Sequence, residues 1–244
     1  MSEETPQLGL CCTALNDPLL QHLNGFPPGL ILTTLLSAMS RNAITVWDRE
    51  GTIMLANSVM ARGHRQKSIQ DLLGKNIKDL TPEPWALERI ALVKQAIDSN
   101  QTITVLDIQT GCRMCCRIVP MIARQCNREL SCALITLEPI SVNGYRHIQE
   151  QENHDLVVHA QNISLGKLDV LTNRELEILA LMGQGLRTKE IAKQLSRSVS
   201  TIENHRDKIG MKLGVKDRSE LIRMANLAVL QVEDASRTRI NFTL

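Results

Sequence analysis

Residues 171–218 read LTNRELEILALMGQGLRTKEIAKQLSRSVSTIENHRDKIGMKLGVKDR, and this stretch decides the C-terminal half of the chain. Thr172 followed three residues later by Glu175 is a capping-box pattern, in which hydroxyl and carboxylate satisfy the free amides of a helix start. A first helix is predicted over 173–184, with Leu176, Ile178, Leu179 and Met182 as its apolar stripe and Gly185 as its stop. Thr188 is placed to cap a short second helix over 189–195 that buries Ile191, Ala192 and Leu195. Ser196-Arg197-Ser198 makes a turn, and Ser198 caps a third helix over 199–213. Gly214 ends it, and Asp217 or Ser219 starts a fourth with Leu221, Ile222, Ala225 and 227–230 as its apolar set. Gly210 inside the third helix costs about 1 kcal/mol against alanine, and close packing against a neighbouring helix is one reason for it.

The third helix is amphipathic in an informative way. Val199, Ile202, Ile209 and Leu213 share one face. At roughly 100° per residue the opposite face carries Ser200, Glu203, Asn204, Asp207, Lys208 and Met211, with Thr201, His205 and Lys212 on one flank. A helix of this width fits the major groove of B-form DNA. There Asn204 suits a bidentate contact with adenine, and Glu203 or Asp207 can accept from the cytosine amino group. Thr188, Lys189, Thr201, His205, Arg206, Lys208 and Lys212 are candidates for phosphate contacts, Arg206 lying nearer the buried face. Charge alone would not identify the partner. From 167 to 230 there are twelve Lys and Arg against eight Asp and Glu, a net +4 beside +2 for the chain. An ordinary solvated helix face is the competing explanation.

The spacing Thr172-x-Arg174-Glu175, Gly185, Lys189-Glu190-Ile191-Ala192, Thr201-Ile202-x-x-His205, Lys212-Leu213-Gly214-Val215 and Arg218 resembles the LuxR-type helix-turn-helix. The resemblance runs without gaps over about a quarter of the chain. It implies an all-α, four-helix domain whose third helix enters the major groove and whose fourth often forms a dimer contact. It places Ser200, Glu203, Asn204 and Asp207 at groove-reading positions, and Thr188, Lys189, Thr201, His205 and Lys208 at backbone-contacting ones. Arg197 stands where the family commonly has an apolar residue, and Arg187 where a small polar one is frequent.

Upstream, 30–40 reads as a helix, and 43–48 and 52–56 form a hairpin around Arg49-Glu50-Gly51. Helical stretches follow, with a clear helix over 87–99, then strands over 102–109, 112–122 and 130–137. The order of two strands, helices and three strands, with Val46-Trp47-Asp48-x-x-Gly51-x-Ile53-x-x-x-Asn57 and Gly74-Lys75, resembles the PAS sensory fold over about 29–140. That implies an α+β domain, an antiparallel sheet with flanking helices, that senses a small molecule, light or redox state, or dimerises. No flavin-linked cysteine motif and no haem ligand is identifiable, and His64 reads as a surface histidine. Cys112, Cys115 and Cys116 invite a redox or metal reading. On a strand, however, Cys112, Met114, Cys116 and Ile118 share one face and Arg113, Cys115 and Arg117 the other, so the three sulfurs do not converge without a bulge. Buried, inert thiols are the competing reading.

The chain has 244 residues, 43% of them hydrophobic and only 2% aromatic, so aliphatic side chains must build its core. Length favours two domains. The organisation read from the sequence is an N-terminal extension (1–28), the PAS-like domain (29–140), a helical connector (141–165), the LuxR-type domain (166–231) and a mobile tail (232–244). No run of about twenty apolar residues and no signal-peptide start is found, so a cytoplasmic protein with reduced cysteines is expected. An acidic phosphoacceptor constellation, common before domains of this type in response regulators, cannot be placed. The function implied is transcription regulation rather than catalysis, with no catalytic or metal-binding residues assigned. Expected partners are double-stranded DNA, a second copy of the chain and RNA polymerase, with no membrane. No cofactor is named, and an unidentified small molecule in the PAS-like domain is what the resemblance allows. The alternative is a cysteine-based redox or metal-dependent switch or enzyme that uses its helical domain for protein contacts.

Overall fold

The computed structural model describes residues 42–64, 66–125, 128–150 and 156–242. The helix expected over 30–40 and the N-terminal extension lie outside the described residues, as do Cys11, Cys12 and Cys126. Strands β1 (Ala43–Asp48) and β2 (Ile53–Ala56) form the expected hairpin. Its turn is held by the Asp48 carboxylate, which accepts from the Glu50 and Thr52 amides at 2.9 and 2.7 Å. Gly51 sits at φ +88°, and a Cβ there would fall 2.6 Å from Ile90, so both conformation and space demand glycine. Asn57, 1% exposed, caps helix α1 (Ser58–Gly63) by accepting from the Met60 amide at 3.0 Å. The same oxygen accepts from the Ile44 amide, which ties α1 to β1.

A 3-10 turn at Ile77–Asp79 leads to α2 (Glu83–Ser99), which lays Trp85, Ala86, Arg89, Ile90, Val93 and Ala96 on the sheet. Strands β3 (Ile103–Gln109), β4 (Cys112–Gln125) and β5 (Arg128–Pro139) complete an antiparallel unit. The sheet order is β2-β1-β5-β4-β3, antiparallel as the resemblance implied, with one strand added at the β3 edge.

That added strand corrects the sequence reading. Among the described residues of the connector, the helix spans α3 (Val142–Glu150). Leu156–His159 is a strand, β6, paired in parallel with β3. Its Val157-Val158 pair suits a pleated edge better than a helix. The two-residue strand β7 (Asn162–Ile163) follows, and Ser164 joins the β3–β4 end of the sheet by donating its amide to the Ile108 carbonyl at 2.8 Å and accepting from the Gly111 amide at 3.0 Å. A 3-10 turn (Gly166–Val170) then enters the helical domain, comprising α4 (Asn173–Gly183), α5 (Thr188–Gln194), α6 (Val199–Leu213) and α7 (Arg218–Leu227).

The capping box at Thr172 and Glu175 is present, as are the Ser198 cap of α6 and the Asp217 cap of α7. The α5 cap differs from expectation. Thr188 is the first helical residue and Arg187 takes the cap position, its amide donating to the Glu190 carboxylate at 2.6 Å. Leu176, Leu179, Ile191, Ile202, Ile209 and Leu221 are buried, whereas Leu227, read as core, is 54% exposed. Gly210 also gains an explanation. The Val215 amide returns to the Gly210 carbonyl at 2.9 Å, and Gly214 takes a left-handed φ of 67°. This is a Schellman-type helix end. A Cβ on Gly210 would sit 2.7 Å from the Val215 carbonyl oxygen.

The tail read as mobile is folded through Phe242. Val232–Ser236 forms a 3-10 turn, and β8 (Thr238–Arg239) pairs in parallel with β7. The reason is a buried charge. Arg113 on β4 and Asp234 after α7 are both 0% exposed and form an ion pair. Arg113 also donates to the Ala228 and Val229 carbonyls at 3.2 and 3.0 Å and lies 5.1 Å from the centre of the Tyr145 ring. Arg237 adds a second cation 3.2 Å from Asp234. The apolar core is accordingly continuous from Trp47 to Ile240 across both domains.

Asp234→Asn should destabilise the chain by about 3–5 kcal/mol, because it leaves a buried guanidinium uncompensated. The double replacement Arg113→Met, Asp234→Leu should cost less than that single one in urea unfolding. Gly210→Ala should cost about 1–3 kcal/mol through backbone overpacking, despite alanine's better helix propensity. Gly63→Ala, where nothing lies within 4 Å of the added carbon, is the control and should be neutral or stabilising.

Candidate nucleic-acid interface

Helix α6 is fixed at both ends and along one side, which leaves the other side free. Ser198 Oγ accepts from the Thr201 amide at 3.1 Å, and the two hydroxyl oxygens lie 2.8 Å apart. Ile202 and Ile209 are fully buried against α4 and α5. Ser200, Glu203, Asn204, Asp207 and Lys208 are exposed on the outer side, and Met211 among them is 74% exposed. The polar face read from the helical period is therefore the solvent face of the folded domain. Lys189 on α5 is exposed as well.

The remaining sequence-predicted residues are less free. Thr188 Oγ1 accepts from Arg206 Nη1 at 3.2 Å, so Arg206 bridges α6 to the start of α5. Its position near the buried face, read from the period, agrees with this. Arg206 Nε and His205 Nδ1 are buried without a hydrogen-bond partner and face inward. Lys212 has a role that helical spacing does not reveal. Its ammonium lies 2.6 Å from Glu175, the carboxylate that closes the α4 capping box. Burial pushes the Glu175 carboxyl up, but hydrogen bonds from Lys212 and Thr172 outweigh it and hold the group below its ordinary range. Lys212 thus fastens the end of α6 to the start of α4. Arg174 performs a similar task, donating to Glu177 at 2.6 Å and to the Leu195 carbonyl at 3.1 Å. The Lys212–Glu175 and Arg174–Leu195 links join residues 37 and 21 positions apart, and no local pattern announces them.

A second candidate site lies in the PAS-like domain. A cleft of about 290 Å³ opens between α1, α2 and the sheet, with Met60, His64, Trp85, Cys112, Met114 and Phe242 on its walls. His64, read as a surface residue, is half-buried here, and burial lowers its pKa. Beneath the cleft a cavity of about 20 Å³ borders Trp47, Arg89 and Cys116, room for about one water. Three of the residues that line it converge on the buried Asp107 carboxylate, which accepts from Trp85 Nε1 at 3.1 Å, Arg89 Nη2 at 2.6 Å and Gln109 Nε2 at 3.0 Å. Burial works against the Arg89 guanidinium, but the groups around it, Asp107 foremost, together outweigh it and raise its pKa.

The cysteines follow the strand alternation. Cys112 and Cys116 face this cleft and cavity, while Cys115 points to the other side of β4. Burial pushes the Cys116 thiol up to about 12 and raises Cys112 as well. Such thiols are poor nucleophiles at neutral pH. Among the described residues, no three His, Cys, Asp or Glu side chains converge as metal ligands. No helix among them is long and apolar enough to cross a membrane.

The Lys212–Glu175 pair supplies a prediction. A carboxyl held below its ordinary pKa adds stability above that ordinary value, and the stability is lost as pH falls below it. The excess stability of the native chain over Lys212→Met should therefore be about 1 kcal/mol at neutral pH. It should vanish in acid, as read by thermal unfolding across pH 3 to 7, a range of about four units spanning the carboxylate titration.

Comparison with known proteins agrees with this geometry. Residues 169–225 match the family of bacterial regulatory proteins of the luxR type. Residues 38–125 match the PAS fold. The oxygen regulatory protein NreC of Staphylococcus aureus is 48% identical over 56 residues, 23% of this chain and 26% of that protein. The chain therefore aligns with about a quarter of that relative's length. Among solved structures, the Vibrio cholerae VqmA dimer without target DNA is 18% identical with a TM-score of 0.43, over 80% of this chain and 86% of that one. The Vibrio cholera VqmA–ligand–DNA complex is 17% identical with a TM-score of 0.48, over 83% and 90%. The chain joins a PAS-fold domain to a LuxR-family helix-turn-helix domain.

Proposed function

We propose that this protein is a cytoplasmic, sequence-specific DNA-binding transcription regulator that acts as a dimer, with α6 in the major groove and the PAS-like domain modulating it through a small molecule in its cleft. The observation that carries the reading is the outer side of α6. Ser200, Glu203, Asn204 and Asp207 are exposed together on a helix rigidly capped at both ends. The luxR-family match over the same residues supports it. A pre-ordered helix with short, polar, base-compatible side chains suits direct readout, because little ordering cost remains at binding.

The roles divide as follows. Ser200, Glu203, Asn204 and Asp207 read bases. Lys189, Lys208, Thr188, Thr201, His205 and Arg206 position the helix against phosphates, the last two after their inward-facing nitrogens turn outward. Lys212 acts through the fold, by its pair with Glu175. Two copies would place their third helices on half-sites about one helical turn apart. RNA polymerase is the further partner this role entails.

Selection of duplexes from a random library, with native full-length protein beside an Asn204→Ala, Asp207→Ala variant, tests the reading. Enrichment of a palindromic motif by the native protein alone is expected. Equal enrichment by both proteins would refute base reading through α6. On the selected duplex, Asn204→Ala should cost about 1–3 kcal/mol and relax preference at one base pair. Lys208→Ala should weaken all sequences alike and lower the salt slope by about one. Identical behaviour of the two variants would contradict the division of roles.

A further inference from the structure

The C-terminal segment touches the PAS-domain cleft and the start of α4 at once. We propose that 238–242 is a strap that lodges the Phe242 ring in the PAS-domain cleft while pinning the start of α4. A ligand entering the cleft would displace the ring, loosen the strap and free the helix-turn-helix domain. The proposal rests on the reading of this cleft as the sensory site.

Four observations support it. Phe242 lines the cleft and meets Trp85 edge to face, the ring centres 5.5 Å apart at 77°. This is a favourable aromatic geometry, and Trp85 is itself held in place by Asp107. Three residues earlier, Arg239 donates to the Leu171 carbonyl at 2.5 Å, the Asp169 carbonyl at 3.2 Å and Asn173 Oδ1 at 2.6 Å. These acceptors surround Thr172, the cap of α4. On either side of Arg239, the amides of Thr238 and Ile240 donate to the carbonyls of Gln161 and Ile163 at 3.0 and 2.9 Å. Ile240 is 8% exposed. With only two residues between Arg239 and Phe242, neither anchor can move far without straining the other.

The cleft volume, about 290 Å³ with the ring in place, is at the lower edge of the range for small-molecule sites. Withdrawal of Phe242 would enlarge it. By linkage, a ligand that excludes the ring favours the unstrapped state by the same factor that unstrapping favours the ligand.

The test uses the full chain and two reporters. The rate of iodoacetamide alkylation at Cys112, assigned by peptide mass, reports the openness of the cleft. Amide hydrogen exchange at Thr238 and Ile240 reports the strap. Phe242→Ala should speed both by about tenfold, the effect expected from losing one partly buried aromatic ring. Phe242→Tyr should stay near native. The decisive variant is Arg239→Met, which alters the far anchor and should still speed alkylation at Cys112. If Arg239→Met leaves Cys112 unchanged, or Phe242→Ala leaves Thr238 and Ile240 as protected as before, the strap is refuted. Neither readout involves DNA, so failure of the duplex selection would leave this result standing.

Discussion

The buried ion pair between Arg113 and Asp234 organises the molecule. A guanidinium taken fully out of water is costly unless its charge and its donors are met. Here the Asp234 carboxylate meets the charge, and the Ala228 and Val229 carbonyls accept from Nε and Nη2; the Tyr145 ring lies beside the group, and Nη1 alone has no hydrogen-bond partner. The partners come from α3, from the end of α7 and from the segment beyond it. One side chain on a strand of the PAS-like sheet thus requires the helical domain and its C-terminal extension to close over it. Arg237, held by both Asp234 and the Ala160 carbonyl, carries the same constraint to the end of β6.

Given that closure, the other inter-domain features follow. The chain returns beside β7, so β8 has a ready edge to pair with. Arg239 reaches the α4 cap and Phe242 reaches Trp85. The helix-turn-helix unit is therefore not a bead on a linker. Its first helix is braced from below by the C-terminal segment and from above by Lys212 on α6. The outer side of α6, from Ser200 to Met211, is exposed.

The sequence was most legible where the determinants are local. The boundaries of α6, the capping box at Thr172, the Ser198 cap and the β1–β2 turn depend on residues a few positions apart, and each is found in the fold. The strand alternation also divided Cys112 and Cys116 from Cys115 correctly. What escaped depends on distant partners. Leu156–His159 is a strand because β3 offers an open edge, and 232–242 is ordered because Arg113 lies more than a hundred residues away. A polar C-terminal stretch looks mobile until the buried charge it neutralises is known. The Lys212–Glu175 pair escaped for the same reason, since the two residues lie 37 positions apart. The candidate site was legible as a helix face and illegible as a network.

The most direct test of the central claim is a hydroxyl-radical footprint of the full-length protein on its selected duplex. Two protected backbone segments flanking major-groove faces about one helical turn apart are predicted, matching a dimer with one α6 in each half-site. A single continuous tract of protection centred on the minor groove, or protection unchanged when Asn204 and Asp207 are replaced, would contradict the account.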